Sequence, residues 1–313
     1  MTISPEQQPL PCVSGHPLRP LAQLAGSALV CAGLVWAPFA AAQQAAEQNT
    51  RKNSEKSTEL VSLINEYRDS SAECQGREMR AAGPLAPNEQ LSSIDLTAGD
   101  WKQEMQDVGY QATAARFLRL SGPESAAQAM EMIQGRYCDV LRSDEFAEIG
   151  VSRSGDAWHI VLASPLVSEQ FRDRQWMDVG QEVVAKVNLA RREARTCGDQ
   201  QFKAAQPLTW NGRLARAAME HSEYMAKNGI LTHAGPEGES VQARVDMVEY
   251  EWGALGENVA VGQSTPEQVV AAWLNSPKHC ANIMNPEFTD MGAAYETHPQ
   301  TSIYWTQVFG RER

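Results

Sequence analysis

The sequence predicts an α+β protein built from two related halves, each with helices packed on a small sheet. Three observations carry that reading. The chain repeats itself at long range, helical periodicity comes before strand alternation in the second copy, and cysteines recur at matching places in both copies.

The repeat is read directly from the residues. ELVSLINEYRDSSAECQGREMRAAGPLAPNEQL (59–91) matches EVVAKVNLARREARTCGDQQFKAAQPLTWNGRL (182–214) at an offset of 123, pairing Cys74 with Cys197. YCDVLRSDEFAEIG (137–150) matches HCANIMNPEFTDMG (279–292) at an offset of 142, pairing Cys138 with Cys280. The second copy therefore carries 19 more residues in its middle. These matches place the copies at 54–165 and 178–313, joined by a connector, LVSEQFRDRQWM, at 166–177. The connector is not a Gly/Ser-rich linker, so the copies should pack as neighbours.

In the second copy, QEVVAKVNLARREA places Val183, Val184, Val187 and Leu189 near helical spacing. A second amphipathic helix follows, with Leu214, Ala218, His221 and Met225 on one stripe and Asn228-Gly229 as the stop. ILTHAGPEGES reads as a glycine-rich loop, followed by a short helix, and WGALGENVAVG reads as another loop. STPEQ places a hydroxyl residue before Pro266 and Gln268 just inside, a capped helix start. Ser276-Pro277 repeats the device. MGAAYETHPQTSIYWTQVFG reads as two strands joined by a polar turn.

Before the repeats, Arg19 precedes an apolar run that ends in Ala-rich sequence, the pattern of a secretory signal peptide at 1–42. A lipoprotein signal ending at Cys31 and a retained membrane anchor are the rival readings. Residues 43–53 are polar and read as a disordered lead-in. The formal charge is −12, with 39 acidic against 27 basic residues. Nucleic acid and anionic membranes recruit basic patches, so neither is an expected partner, and signal cleavage would leave no stable membrane anchor. Cleavage would also remove Cys12 and Cys31. An even set of four cysteines in an exported chain suggests disulfides, which four cysteines can form in three ways. Equivalent copies should be stapled equivalently, giving Cys74–Cys138 and Cys197–Cys280; four free thiols are the competing state.

The histidines are unequally shared. His159 alone lies in the first copy, whereas His221, His233, His279 and His298 lie in the second. Tyr137 stands opposite His279, and the ungapped offset sets Tyr110 opposite His233. The second copy thus carries something that the frame does not require.

In order, HSEYMA, THAGPEGES, GENVAVG, WLNSPKHCANIMNPEFTDMG and YWTQVFG resemble the bacterial branch of the CAP superfamily, the cysteine-rich secretory, antigen 5 and pathogenesis-related-1-like proteins. The resemblance implies tandem α-β-α sandwich domains, each with a small antiparallel sheet flanked by helices, and a large open cleft bearing two histidines and two acidic residues. By motif these include His233, Glu257 and His279; the fourth position, a glutamate in many members, is Ser276 here. The first copy resembles a degenerate CAP-like domain.

Two imidazoles and a carboxylate suit Zn²⁺ with one position open to water. At the first turn of a helix, His279 should stay neutral and able to ligate. The alternative is a hydrogen-bonded network that merely holds loops together. His221 reads as a packing residue, His298 as a solvent-exposed turn residue, Ser276 as a helix cap, and Glu267 as a residue suited to a helix N-terminus. Asn258 reads as a bonder of loop backbone, and Trp273 and Trp305 as core.

The expected function is that of a secreted or periplasmic protein whose second-copy cleft binds a metal ion, a small molecule, a lipid or another envelope component. A metal-dependent hydrolase using His233, Glu257 and His279, and a purely structural envelope protein, are the alternatives. The resemblance leaves enzymatic activity open.

Overall fold

A computed structural model describes residues 37–97, 99–298 and 302–313. Residues 1–36 of the expected signal peptide at 1–42, with Cys12, His16 and Cys31, lie outside the described residues. Residues 48–313 form one compact unit. No helix among the described residues is long and apolar enough to cross a membrane.

The first half runs α1 (Ala37–Arg68), β1 (Ala72–Cys74), β2 (Arg77–Met79), β3 (Ala86–Pro87), α2 (Glu89–Ser92), α3 (Trp101–Asp107), β4 (Ala112–Ser121), α4 (Ala126–Leu141), β5 (Glu148–Ser154) and β6 (Ala157–Pro165). After α5 (Glu169–Arg172), the second half runs α6 (Trp176–Arg191), β7 (Arg195–Cys197), β8 (Gln200–Phe202), β9 (Thr209–Trp210), α7 (Gly212–Asn228), α8 (Val241–Met247), β10 (Trp252–Val261), α9 (Pro266–Leu274), α10 (Pro277–Met284), β11 (Asp290–Thr297) and β12 (Ile303–Glu312). A one-turn 3₁₀ segment, Pro236–Gly238, precedes α8.

Each half holds a four-stranded sheet, ordered β3-β5-β6-β4 in the first and β10-β12-β11-β9 in the second. The expected sheets were wholly antiparallel; both are mixed, because β3 pairs parallel with β5 and β9 parallel with β11. Each of these short parallel strands follows an irregular passage and stands just before a helix. The stretch GENVAVG, expected in a loop, lies in β10, where it pairs antiparallel with β12. Its glycine admits a close neighbour: a Cβ on Gly256 would sit 2.7 Å from the Phe288 ring. Residues 43–53, expected as a disordered lead-in, lie within α1. Their Ala, Gln, Glu and Lys residues favour helix, with no glycine or proline to break it.

The same hydrogen bonds recur in both halves. Asn65 Nδ2 donates to Leu85 O (3.0 Å) and Asn65 Oδ1 accepts from Leu85 N (2.8 Å). Asn188 and Leu208 repeat that exchange at 2.9 and 2.7 Å. Buried Arg68 donates to the carbonyls of Gly83, Leu141, Ser143 and Phe146. Buried Arg191 donates to those of Gln206, Ile283, Asn285 and Phe288. Trp158 Nε1 donates to Pro123 O, and Trp305 Nε1 to Gln263 O. Disulfides join Cys74 to Cys138 and Cys197 to Cys280, each tying the segment after the long first helix to a later helix.

Tyr110 gives the alignment between the copies a correction. Its hydroxyl donates to Glu148 (2.6 Å), as the Tyr250 hydroxyl donates to Asp290 (3.2 Å). Tyr110 is therefore the counterpart of Tyr250, not of His233, and the offset from α3 to α8 is 140. The step from 123 to 140 locates 17 extra residues between the starts of α7 and α8. They lengthen α7 and add the loop that carries His233. The remaining two separate α9 from α10, where α4 runs on through a kink at Tyr137.

Apolar side chains fill each half separately. Leu60, Ile64, Ile133, Trp158 and Ile160 anchor the first core, and Val183, Val187, Trp273, Ile283, Trp305 and Phe309 the second. Leu189, placed on the apolar stripe by its spacing, is 57% exposed. Position 189 lies two residues beyond the buried Val187, so it turns off the inward face.

Candidate functional site

The histidine positions are set by helix ends and one strand. Asn211 caps α7 by accepting from the backbone N–H of Arg213 and Leu214, and Gly229, with φ of 62°, ends it. The chain then turns through Thr232, which holds His221 by an Nε2 contact of 2.7 Å to the Thr232 carbonyl. His233 comes next and meets Glu257 on β10, with Nδ1 at 2.8 Å from Oε1.

Glu257 is buried, and its other oxygen is 2.5 Å from Arg244 Nη2 on α8. Arg244 also donates to the carbonyls of His233 and Glu239, locking the loop to the strand. Burial alone would raise the Glu257 carboxyl. The His233 hydrogen bond outweighs it, with the charges of His221, Arg244 and His233, and carries the pKa below its ordinary value. A carboxylate only accepts, so His233 Nδ1 donates. The His233 side chain is 56% exposed, which leaves the ring open to a ligand.

His279 lies in the first turn of α10 and is buried. Its Nδ1 is 2.7 Å from Ser276 Oγ. Ser276 was expected to cap the helix through its side chain; it makes no such bond and holds the imidazole instead. Burial pulls the His279 pKa to about 4, opposed by Asp69 and helped by His233 and Lys278, so the ring is neutral at pH 7. Behind it, Asn258 donates to His279 O (3.1 Å) and to Gln307 (2.9 Å), and accepts from Asn282 (2.8 Å). Asn258 thus bonds backbone, but in a strand and a buried network rather than a loop.

His233, Glu257 and His279 line one cavity of about 300 Å³, together with Lys278 and Asn282. A larger depression of about 810 Å³ around Arg213, Tyr250 and Trp252 contains none of the histidines. His221 is buried on α7, Trp273 and Trp305 are fully buried in the core, and Glu267 pairs with Lys186. His298 is half-buried, and its backbone N–H donates to Ser302 O (2.8 Å).

Residues 184–309 match the model of the CAP, or cysteine-rich secretory protein, family. That segment is a CAP-family domain. The uncharacterized protein YkwD of Bacillus subtilis (strain 168) is 34% identical over 114 residues, covering 36% of this chain and 43% of YkwD. The chain thus spans less than half of that relative's length. Among solved structures, an extracellular protein containing an SCP domain from Bacillus anthracis str. Ames is 17% identical, with a TM-score of 0.38, covering 56% of this chain and 71% of that one. NaASP2, crystallised with Zn²⁺, is 12% identical with a TM-score of 0.31, covering 47% of this chain and 85% of that one.

Within the CAP domain the expected three-ligand metal set is not assembled. Among the described residues, no group of three or more His, Cys, Asp or Glu side chains is placed to hold a metal ion. The reason is visible at Glu257: one oxygen engages Arg244 and the other His233. Arg244 is the residue that spacing did not reveal. Arginine in a short helix, eleven residues beyond His233, carries no signal in a single sequence.

Proposed function

We propose that this chain acts outside the cytoplasm as a CAP-domain protein that binds a small ligand between His233 and His279. The observation that carries the reading is the cavity, in which two imidazoles share a wall with a carboxylate already paired with Arg244. Export is supported by the two disulfides and by the signal-like N-terminus.

Binding is favoured over hydrolysis by how the polar groups are occupied. Glu257 is held by two partners and is not free to take a proton from water. Ser276 is fully buried behind the His279 ring, so it orients the imidazole rather than attacking a substrate. His233 Nε2 is the ring nitrogen that Glu257 leaves available to an incoming ligand.

Side-chain NMR of the histidines tests the reading. Zn²⁺, amino acids, peptidoglycan fragments and lipid head groups would be titrated into the protein. At least one should shift the His233 and His279 signals together while leaving His159 unmoved, and His233→Ala/His279→Ala should abolish the response. No shift with any probe would defeat the ligand reading. Equal Zn²⁺ binding by wild type and double variant would remove the metal from it.

A further inference from the structure

The cavity has a wall that the CAP domain does not supply. Asp69, at the end of α1, and the passage Ala81–Pro84, leading into β3, line it from the first half. That passage is rigidly held. Ala82 N donates to Arg68 O (2.8 Å), Arg68 Nε donates to Gly83 O (2.6 Å), and Leu85 is fixed by Asn65.

It is equally fixed to the second half. Gln263, fully buried, donates to Pro84 O (2.8 Å) and Ala147 O (3.2 Å). Asn65 Nδ2 donates to Asn275 O (3.0 Å), and Lys278 pairs with Asp69 (2.9 Å) at the rim. A Cβ on Gly83 would lie 3.2 Å from both Leu231 and Val261, so the surfaces are in close contact.

Comparison within the chain shows that these contacts are not demanded by the frame. The counterpart of Gln263 is Pro123; both accept a tryptophan N–H through their carbonyls, yet proline has no side-chain amide to donate. The Gln263 Nε2 group therefore serves the junction by pairing with two carbonyls of the first half. The Asp69–Lys278 pair, whose lysine is exposed, contributes little by comparison.

We propose that the first half is a permanent wall of the ligand site and sets its size limit. This rests on the binding reading above. About 300 Å³ lies at the small end of ligand pockets. The occupant is a small molecule, or the end group of a larger one, with a polar head at the imidazoles and an apolar body against Leu231, Val259 and Pro84. A polymer or acyl chain lying lengthwise across an open cleft does not fit.

Thiol labelling tests this without any ligand, so its failure and that of the binding reading are separable. Leu231→Cys would be made in a chain carrying Cys12→Ser and Cys31→Ser, with Lys227→Cys on the exposed face of α7 as the control. Methyl methanethiosulfonate should label both cysteines within about tenfold of the same rate. A 5-kDa polyethylene-glycol maleimide should label position 231 at least a hundredfold more slowly than position 227. Val259→Cys should show the same discrimination should Leu231→Cys fold poorly. Adding Gly83→Val, which thickens the wall from the first half, should slow the small reagent at position 231 at least tenfold and leave the control unchanged. Equal labelling by the large reagent, no labelling by the small one, or indifference to Gly83→Val would each overturn the proposal.

Discussion

Strand β10 presents Glu257 and Asn258 to its half, whereas β4 presents Phe117 and Leu118 at the same positions, 140 residues earlier. The partner strands differ in the same way, with Thr306 and Gln307 in β12 standing where β6 has His159 and Ile160. Phe117 packs against Trp101 at 4.7 Å between ring centroids, so an aromatic contact stands where the second half keeps its carboxylate. Where Arg244 holds Glu257, the first half has Glu104. One frame thus supports an apolar filling in one half and a buried polar network in the other. The difference teaches that the frame residues and the site residues are separable sets: the former recur, and the latter depend on an inserted segment.

The frame residues should matter equally in both halves. Arg68→Ala and Arg191→Ala each orphan several buried carbonyls, and each should cost about 4 kcal/mol in urea unfolding, since an unsatisfied buried acceptor costs roughly 1–3 kcal/mol. A loss confined to one of them would break the equivalence. Replacing either disulfide by a pair of serines should cost about 3 kcal/mol, with similar values expected because loop length enters only logarithmically. Their sequence separations, 64 and 83, differ too little to matter.

The site residues should show their effect only in the second half. His279 has its pKa depressed from 6.5 to about 4 by burial. Its contribution is full above pH 6.5 and is lost as pH falls toward 4, because the unfolded chain takes up a proton that the folded ring refuses. Roughly 2 kcal/mol should disappear between pH 7 and 4.5. His221, also lowered by burial, acts in the same direction. His279→Gln should flatten this part of the stability–pH curve, and Tyr137→Phe in the first half should leave it unchanged. The smallest effect is expected at the helix caps. Ser125 and Thr265 each accept from the backbone N–H three residues on, so Ser125→Ala and Thr265→Ala should each cost about 1 kcal/mol by thermal unfolding.

Much of the frame was legible because it is local or repeated. The helix around Val183 and Val187, the start at Thr265-Pro266 and the final two strands follow from periodicity and capping chemistry. Strand β10 was not legible: glycines and a buried carboxylate at its start hide the alternation, and its partner lies some fifty residues away. The alignment of Tyr110 failed for a related reason. An ungapped comparison cannot locate an insertion, whereas a shared phenol–carboxylate bond can.

The sequence alone carried the long-range match between its two halves, the pairing implied by its matching cysteines, and the motif residues His233, Glu257 and His279. Each depends on residue type and spacing along the chain. Only the tertiary structure decided what those residues face. Arg244 occupies the Glu257 carboxylate, Ser276 turns from cap to imidazole partner, and the first half closes one side of the cavity. All three are contacts between separately folded segments, set by packing and by the need to pair buried polar groups, and no spacing rule along one strand or helix encodes them.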